Sequence, residues 1–216
     1  MKKLIVASLI IIIIIQLIRI PGVYDNLNIY FQSWAKARSS NSATVNMSSQ
    51  KTEGVWTLLD QYHDHESKTF IGVADSRSSM KSAIAALLQM DAQMQSGSAS
   101  APSASEYVKQ SQLVDQLLSQ FAQQARMAIN VQVEANPTLR AAEVTTGAMR
   151  TMEEAVNEVR TSLDDLITST QVYNTYRGGF WVMSVAWLIT KFPASIEYYE
   201  GPIKEFDVTS LNPMKI

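Results

Sequence analysis

Apolar residues return at helical spacing in three stretches of this chain. In the first, Val55, Leu58, Leu59, Tyr62, Thr69, Val73, Met80, Ile84 and Leu87 recur mostly at steps of three, four and seven. In the second, Tyr107, Val114, Phe121 and Ala128 repeat every seven residues, with Leu118 and Ala125 in the same stripe. In the third, Leu139, Ala142, Thr146, Met149, Met152, Val156, Val159, Leu163, Leu166, Thr170 and Tyr173 form one seam. No stretch of similar length alternates with the period of two expected of a strand. The pattern predicts an all-α chain.

Polar interruptions separate the stripes. Ser96–Ser105, SGSASAPSAS, is rich in residues that favour turns and flexible connections. Asn136-Pro137 is a break with proline placed to open the next helix. Gly178-Gly179 closes the last seam in the manner of a C-cap. The earliest break is expected within Ser39–Gln50, which is poor in helix formers, or at Glu53-Gly54. The expected helices are Gly22–Glu53, Val55–Ala92, Ser105–Glu134 and Thr138–Arg177, and short connections make them an antiparallel up-down four-helix bundle.

Ahead of the bundle lies a segment of another kind. Leu4–Ile20 is interrupted only by Ser8, Gln16 and Arg19, and contains six consecutive isoleucines, Ile10 to Ile15. As a helix it spans about 25 Å, at the lower edge of a bilayer's hydrocarbon thickness. Arg19 is long enough to snorkel to the headgroups, and Tyr24 and Trp34 follow as interfacial aromatics. A cleaved leader would share the basic start (Lys2, Lys3) and the apolar run, but would end in small residues. Here the run ends in Leu-Ile-Arg-Ile-Pro, so the expectation is a retained transmembrane anchor over residues 1–22. Lys2 and Lys3 favour a cytoplasmic N-terminus and an extracytoplasmic bundle, a bias that Arg19, Lys36 and Arg38 nearly cancel.

Charge and composition narrow the function classes. The net charge of the 216-residue chain is −2. Setting aside Lys2, Lys3 and Arg19 leaves fifteen basic against twenty acidic side chains, the wrong sign for a nucleic-acid partner. With no cysteine there is no thiolate site or thiol nucleophile. The bundle's outer positions carry Ser, Thr, Gln and Asn more than charge, which fits either a face covered by a partner or simple compositional drift.

The densest polar cluster is YHDHE, Tyr62 to Glu66. His63 and His65 are two apart and point to opposite sides of a helix, so they do not make a metal pair, and a packing role is expected for His65. Glu153, Glu154, Glu158, Asp164 and Asp165 read as a solvated or interfacial face. No phosphate loop, nucleophile elbow or catalytic Ser–His order occurs, so neither enzyme nor cofactor is expected. Phe180–Phe192, with Trp181 and Trp187, is too short to span a bilayer. It reads as an interfacial or re-entrant segment, as one packed against a neighbouring subunit, or as a buried cap.

Several blocks, in order over roughly 130 residues, resemble the LemA family. MSSQKTEGVWTLLDQYHDHESKTFIGVADSRS (Met47–Ser78) is similar to the family's most recognisable block and includes His65, Glu66 and Arg77. NPTLRA resembles its YPxLKA motif, MEEAVNEV keeps Glu153 and Asn157, and Tyr173-Asn174 resembles its closing YN. Met47-Ser48 and Glu53-Gly54 depart from the family's paired arginine and Pro-Asn. The resemblance implies membrane anchorage and a helical bundle, structural roles for those residues, and no catalytic activity.

The expected protein has an anchor over 1–22, a bundle over 23–179 with a linker at 96–105, and an apolar segment and tail over 180–216. Ile10, Ile15, Arg19, Tyr24, Trp34, Trp181 and Trp187 are the expected lipid contacts. The expected function is a self-associating membrane scaffold whose partners are the bilayer and copies of itself or other envelope proteins. A sensory or ligand-binding ectodomain is the alternative.

Overall fold

A computed structural model describes residues 2–62, 68–97, 101–135 and 143–179, together with Val182, Met183, Phe192 and Ile196. Four helices account for nearly all of these: α1 (Lys2–Tyr62), α2 (Lys68–Gln95), α3 (Ala104–Ala135) and α4 (Glu143–Arg177). Neighbouring helices run antiparallel. Along α1 and α4 the partners move in opposite directions, from Asn26–Tyr176 (3.1 Å) through Asn41–Ser162 (3.0 Å) to Lys51–Glu158 (2.6 Å). Ser76–Gln124 and Gln110–Ala83 tie α2 to α3, and Arg126–Glu153 and Arg160–Asp115 tie α3 to α4. The described residues form an all-α up-down four-helix bundle.

The periodic stripes form the core. Val73, Met80, Leu87, Val114, Leu118, Phe121, Val159, Leu163 and Leu166 are fully or almost fully buried. Thr146, placed in the third seam by its spacing, is exposed, while Leu139 and Ala142 lie outside the described residues.

The principal departure from expectation is α1, which has no break at Ser39–Gln50 or at Glu53-Gly54. It continues for 61 residues, about 90 Å, through Pro21. Packing explains this. Asn41, Ser42, Val45, Ser48, Thr52, Val55 and Leu59 are all buried at steps of one, three and four, so the inward stripe persists in polar form. Asn41 donates from Nδ2 to Ser162 Oγ, Ser48 Oγ donates to the Ala155 carbonyl (3.2 Å), and Thr52 Oγ1 donates to the Ser49 carbonyl (2.8 Å). These bonds overcome a low intrinsic propensity.

The first turn therefore falls after Tyr62. The second connection is also shorter than expected, because Ser103 caps α3. The Ser103 N–H donates to Glu106 Oε2 (2.7 Å) and the Glu106 N–H donates to Ser103 Oγ (3.2 Å), a reciprocal capping box. At the close of α4, the amides of Gly178 and Gly179 donate to the carbonyls of Asn174 (2.8 Å) and Tyr176 (3.1 Å). A Cβ on either glycine would stand 3.1–3.2 Å from those oxygens.

α1 projects beyond the bundle at its N-terminal end, where Val23 is the first of its described side chains to be buried. Among the described residues no helix is long and apolar enough to cross a membrane. The side chains of residues 4–7, 9, 12 and 16 of the opening run lie outside the described set.

Candidate functional site

A group of buried polar side chains lies partway along the bundle, around Arg38 and Asn41 of α1. Asn41 is fully buried and joins three helices. Its Oδ1 accepts from Ser111 Oγ (2.9 Å) and Tyr107 Oη (3.2 Å) on α3, while its Nδ2 reaches Ser162 on α4. One turn earlier, Arg38 Nε lies 3.0 Å from Asp91 Oδ1 on α2, and both side chains are more than nine-tenths buried. The contact is Coulombic, since the two atoms lack hydrogen-bond alignment. Asp91 Oδ2 accepts from Gln95 Nε2 (2.7 Å), and the guanidinium lies 5.5 Å from the centre of the Trp34 ring. Such a buried pair is costly to break from one side, by about 3–5 kcal/mol, because the remaining charge stays buried.

Burial, with the Asp91 carboxylate adding to it, pushes the Tyr107 hydroxyl well above its ordinary value of 10.0, against the opposing pull of Arg38 and Ser42. Tyr107 is thus a proton donor to Arg38 O and Asn41 Oδ1, not a base. Further along, burial raises the Asp115 carboxyl above 3.8, with Arg160 at 3.5 Å opposing and Asp164 reinforcing it.

Beside the cluster opens a groove of about 710 Å³. Phe31, Trp34, Ala35 and Arg38 of α1 form one wall, Met94 and Gln95 of α2 another. Ala101–Ala104 and Ile196 close the sides. Trp34 is only 6 % exposed, and its indole N–H has no acceptor. A buried donor left unpaired costs about 1–3 kcal/mol.

Beyond α4, Val182, Phe192 and Ile196 pack onto the end of the bundle nearest the N-terminus. Asn174 Nδ2 donates to the Ile196 carbonyl (2.6 Å) and its Oδ1 accepts the Ile196 N–H (2.8 Å). The Phe192 ring packs edge-on against Tyr24 (5.3 Å) and Phe31 (5.9 Å), and Val182, Phe192 and Ile196 are all buried.

Sequence-predicted residues divide accordingly. Ile10, Ile15 and Arg19 are exposed on the projecting part of α1. Tyr24 is half-buried under Phe192. Trp34, expected at a headgroup layer, is instead a core residue stacked near Phe31, and a side chain so enclosed does not touch lipid. Where Phe180–Phe192 was expected to be interfacial or a cap, Val182 and Phe192 are caps and Met183 is exposed. Trp181 and Trp187 lie outside the described residues, as do His63, His65 and Glu66.

Arg77 grips Glu53 with two nitrogens (2.6 and 3.3 Å) and lies over the Trp56 ring at 4.6 Å. Glu53 is one of the positions where the chain departs from the LemA pattern, and here it supplies Arg77's partner. Lys81 also reaches it at 3.2 Å, and the Arg77 bond holds the Glu53 carboxyl below its ordinary range. Tyr173 is fully buried. Glu153, exposed, meets Arg126 at 3.5 Å, and Asn157 faces outward. Glu154 and Glu158 are not left as a like-charged pair, since Arg150 and Lys51 take one each. Among the described residues no three His, Cys, Asp or Glu side chains stand together as a metal site.

Sequence reasoning missed Arg38, Asp91, Asn41, Tyr107 and Ser111 as one cluster. The available signal was Arg38 and Asn41 spaced i, i+3 along one face. Compared with known proteins, the chain matches no family model, no curated protein and no solved structure.

Proposed function

We propose that this protein is a non-enzymatic, membrane-anchored helical scaffold that self-associates. The carrying observation is the projecting start of α1. Ile10, Ile11, Ile13, Ile14, Ile15, Leu17 and Ile18 are 44–73 % exposed, so the described part of the bundle leaves them uncovered. An apolar surface of that extent requires a non-aqueous partner. Leu4–Ile20 as a whole is long enough to reach across the hydrocarbon of a thin bilayer.

The bundle begins at Val23, so its lower end, with Tyr24, Arg177 and Met183, falls beside the headgroup layer. Membrane contact by Trp181 and Trp187 belongs to this reading. So does an extracytoplasmic bundle with the N-terminus inside, which rests on Lys2 and Lys3. Self-association is supported by the outer side of α1, where Gln32, Ser33, Ser39, Ser40, Asn46 and Gln50 are exposed and Lys36 is the one charge among the exposed positions 26–50. Likeness to the LemA family, carried by the motifs given above, supports the same reading.

The second reading, a ligand-binding ectodomain, draws on the groove beside Trp34. Flotation of the full chain with liposomes after an alkaline wash tests the anchor. The full chain should remain with the vesicles, and a chain lacking residues 1–22 should bind weakly and be released by Trp181→Ser with Trp187→Ser. A full chain that is monodisperse and monomeric without detergent overturns the proposal.

A further inference from the structure

α2 and α4 lie across the bundle from each other, each packed between α1 and α3. Their outer sides differ in charge. Between residues 150 and 165, α4 exposes Glu153, Glu154, Glu158, Asp164 and Asp165 against Arg150. Along α2, Ser78, Ser82, Ala85, Gln89 and Ala92 are all exposed, at alternating steps of four and three, and none carries charge. That spacing keeps one line facing outward, as the seam of a coiled coil does. Residues 37–50 of α1 and 110–125 of α3, on either side of α2, expose no charge. Lys81, toward α1, is held by Glu53 at 3.2 Å, and the exposed Asp75 bounds the uncharged line above.

Anchorage gives that difference a consequence. Copies whose first turns sit in one bilayer stand parallel. In a pair related by a two-fold axis along the helices, each side chain near the axis then meets its own counterpart at the same height. A charge placed there meets its like and is repelled, which the outer side of α4 cannot avoid and the line along α2 does. Resting on the self-association reading above, we propose that copies of this chain associate in parallel through α2. Residues 78–92 meet the same stretch of a second copy, and the acidic side of α4 is turned away. Serine and alanine let the two helices approach to about 8–10 Å. The stretch is about 21 Å long and, with the flanks of α1 and α3, about 25 Å across, which gives about 500 Å² per partner, toward the small end of specific interfaces. Confinement of both copies to one bilayer raises their effective concentration and lets so small a contact hold.

The full chain in phosphatidylcholine vesicles is the material for the test. It has no cysteine, so single cysteines report directly on which faces meet. Under copper-phenanthroline oxidation, Ser78→Cys and Ala85→Cys should give covalent dimers at least fivefold more than Thr161→Cys or Asp165→Cys on α4. Ser82→Glu with Gln89→Glu should cut co-purification of two differently tagged copies at least fivefold, and so should Ser82→Lys with Gln89→Lys. Mixing the two variants should restore it, since each carboxylate then faces an ammonium at its own height. All four α2 positions are exposed, so the melting curve should stay that of the parent. Cysteines on α4 that crosslink as readily as those on α2, co-purification indifferent to the added charge, or a mixture that is not restored overturns the proposal. In each of those cases, tagged parent chains that still co-purify leave self-association standing. Parent chains that do not co-purify overturn both readings.

Discussion

Asn174 and Ile196, 22 residues apart, face each other like two bases of a pair: the side-chain amide of one satisfies both backbone groups of the other. Tyr173, the preceding residue, is fully buried in the core. Successive helix positions differ by about 100°, so a Tyr-Asn dipeptide places one side chain inward and the next at the helix's edge. This is a physical reason for the dipeptide.

Asn174→Ala should free the Ile196 backbone at a cost of about 1–3 kcal/mol to docking of the segment, with global unfolding less affected. Asn174→Asp should be no better, since a carboxylate has no N–H for the Ile196 carbonyl. Hydrogen exchange at the Ile196 amide is the measurement. Exchange unchanged in both variants would show that Phe192 and Val182 hold the segment without Asn174.

The Arg38–Asp91 pair separates two views of a buried ion pair. Arg38→Met or Asp91→Leu alone strands a charge that is more than nine-tenths buried, with an expected loss of about 3–5 kcal/mol. The double replacement should recover most of that loss. Urea denaturation of the four proteins gives the coupling directly, and additive single losses would mean that the two side chains act independently.

Acid should act on Glu53 and Asp115 in opposite senses. Arg77 lowers the Glu53 carboxyl, so its contribution is fully present above the ordinary 4.5 and is lost as pH falls through the lower folded value. Glu53 is about a third exposed, which limits the effect to about 1 kcal/mol or less. Burial raises the Asp115 carboxyl, so its charged form costs stability above the folded value, and that cost is relieved as pH falls through it toward 3.8. Glu53→Gln should therefore be less stable than the parent at pH 7. Asp115→Asn should be relatively most favourable there. Both differences should shrink in acid, as followed by melting temperature against pH.

The apolar stripes made the bundle legible. Val114, Leu118, Phe121 and Ala125, or Val159, Leu163 and Leu166, report a buried helix face without further information. The same logic failed on Asn41 and Ser48, because a hydroxyl or amide in a helix-poor stretch marks a break unless its partner is known. Those partners, Ser162 and the Ala155 carbonyl, lie more than 100 residues away. The Ser103–Glu106 box was legible as S-x-x-E, but its setting in a Ser/Ala/Pro run concealed it. The Arg38–Asp91 pair and the groove beside it depend on how α2 returns along α1, which spacing within one helix does not encode.

An unbroken α1 turns orientation into displacement. Between Ile20 and Tyr62 the rod extends about 63 Å. Pro21 contributes no amide hydrogen to the helix ladder, and the space around Gly22 is open, so bending is easiest there. Were the first turns gripped by lipid, as proposed above, a 10° tilt at that pivot would sweep the far tip sideways by about 11 Å, the width of one helix. The bundle is then a lever whose reach over neighbouring molecules is set by two residues at its foot.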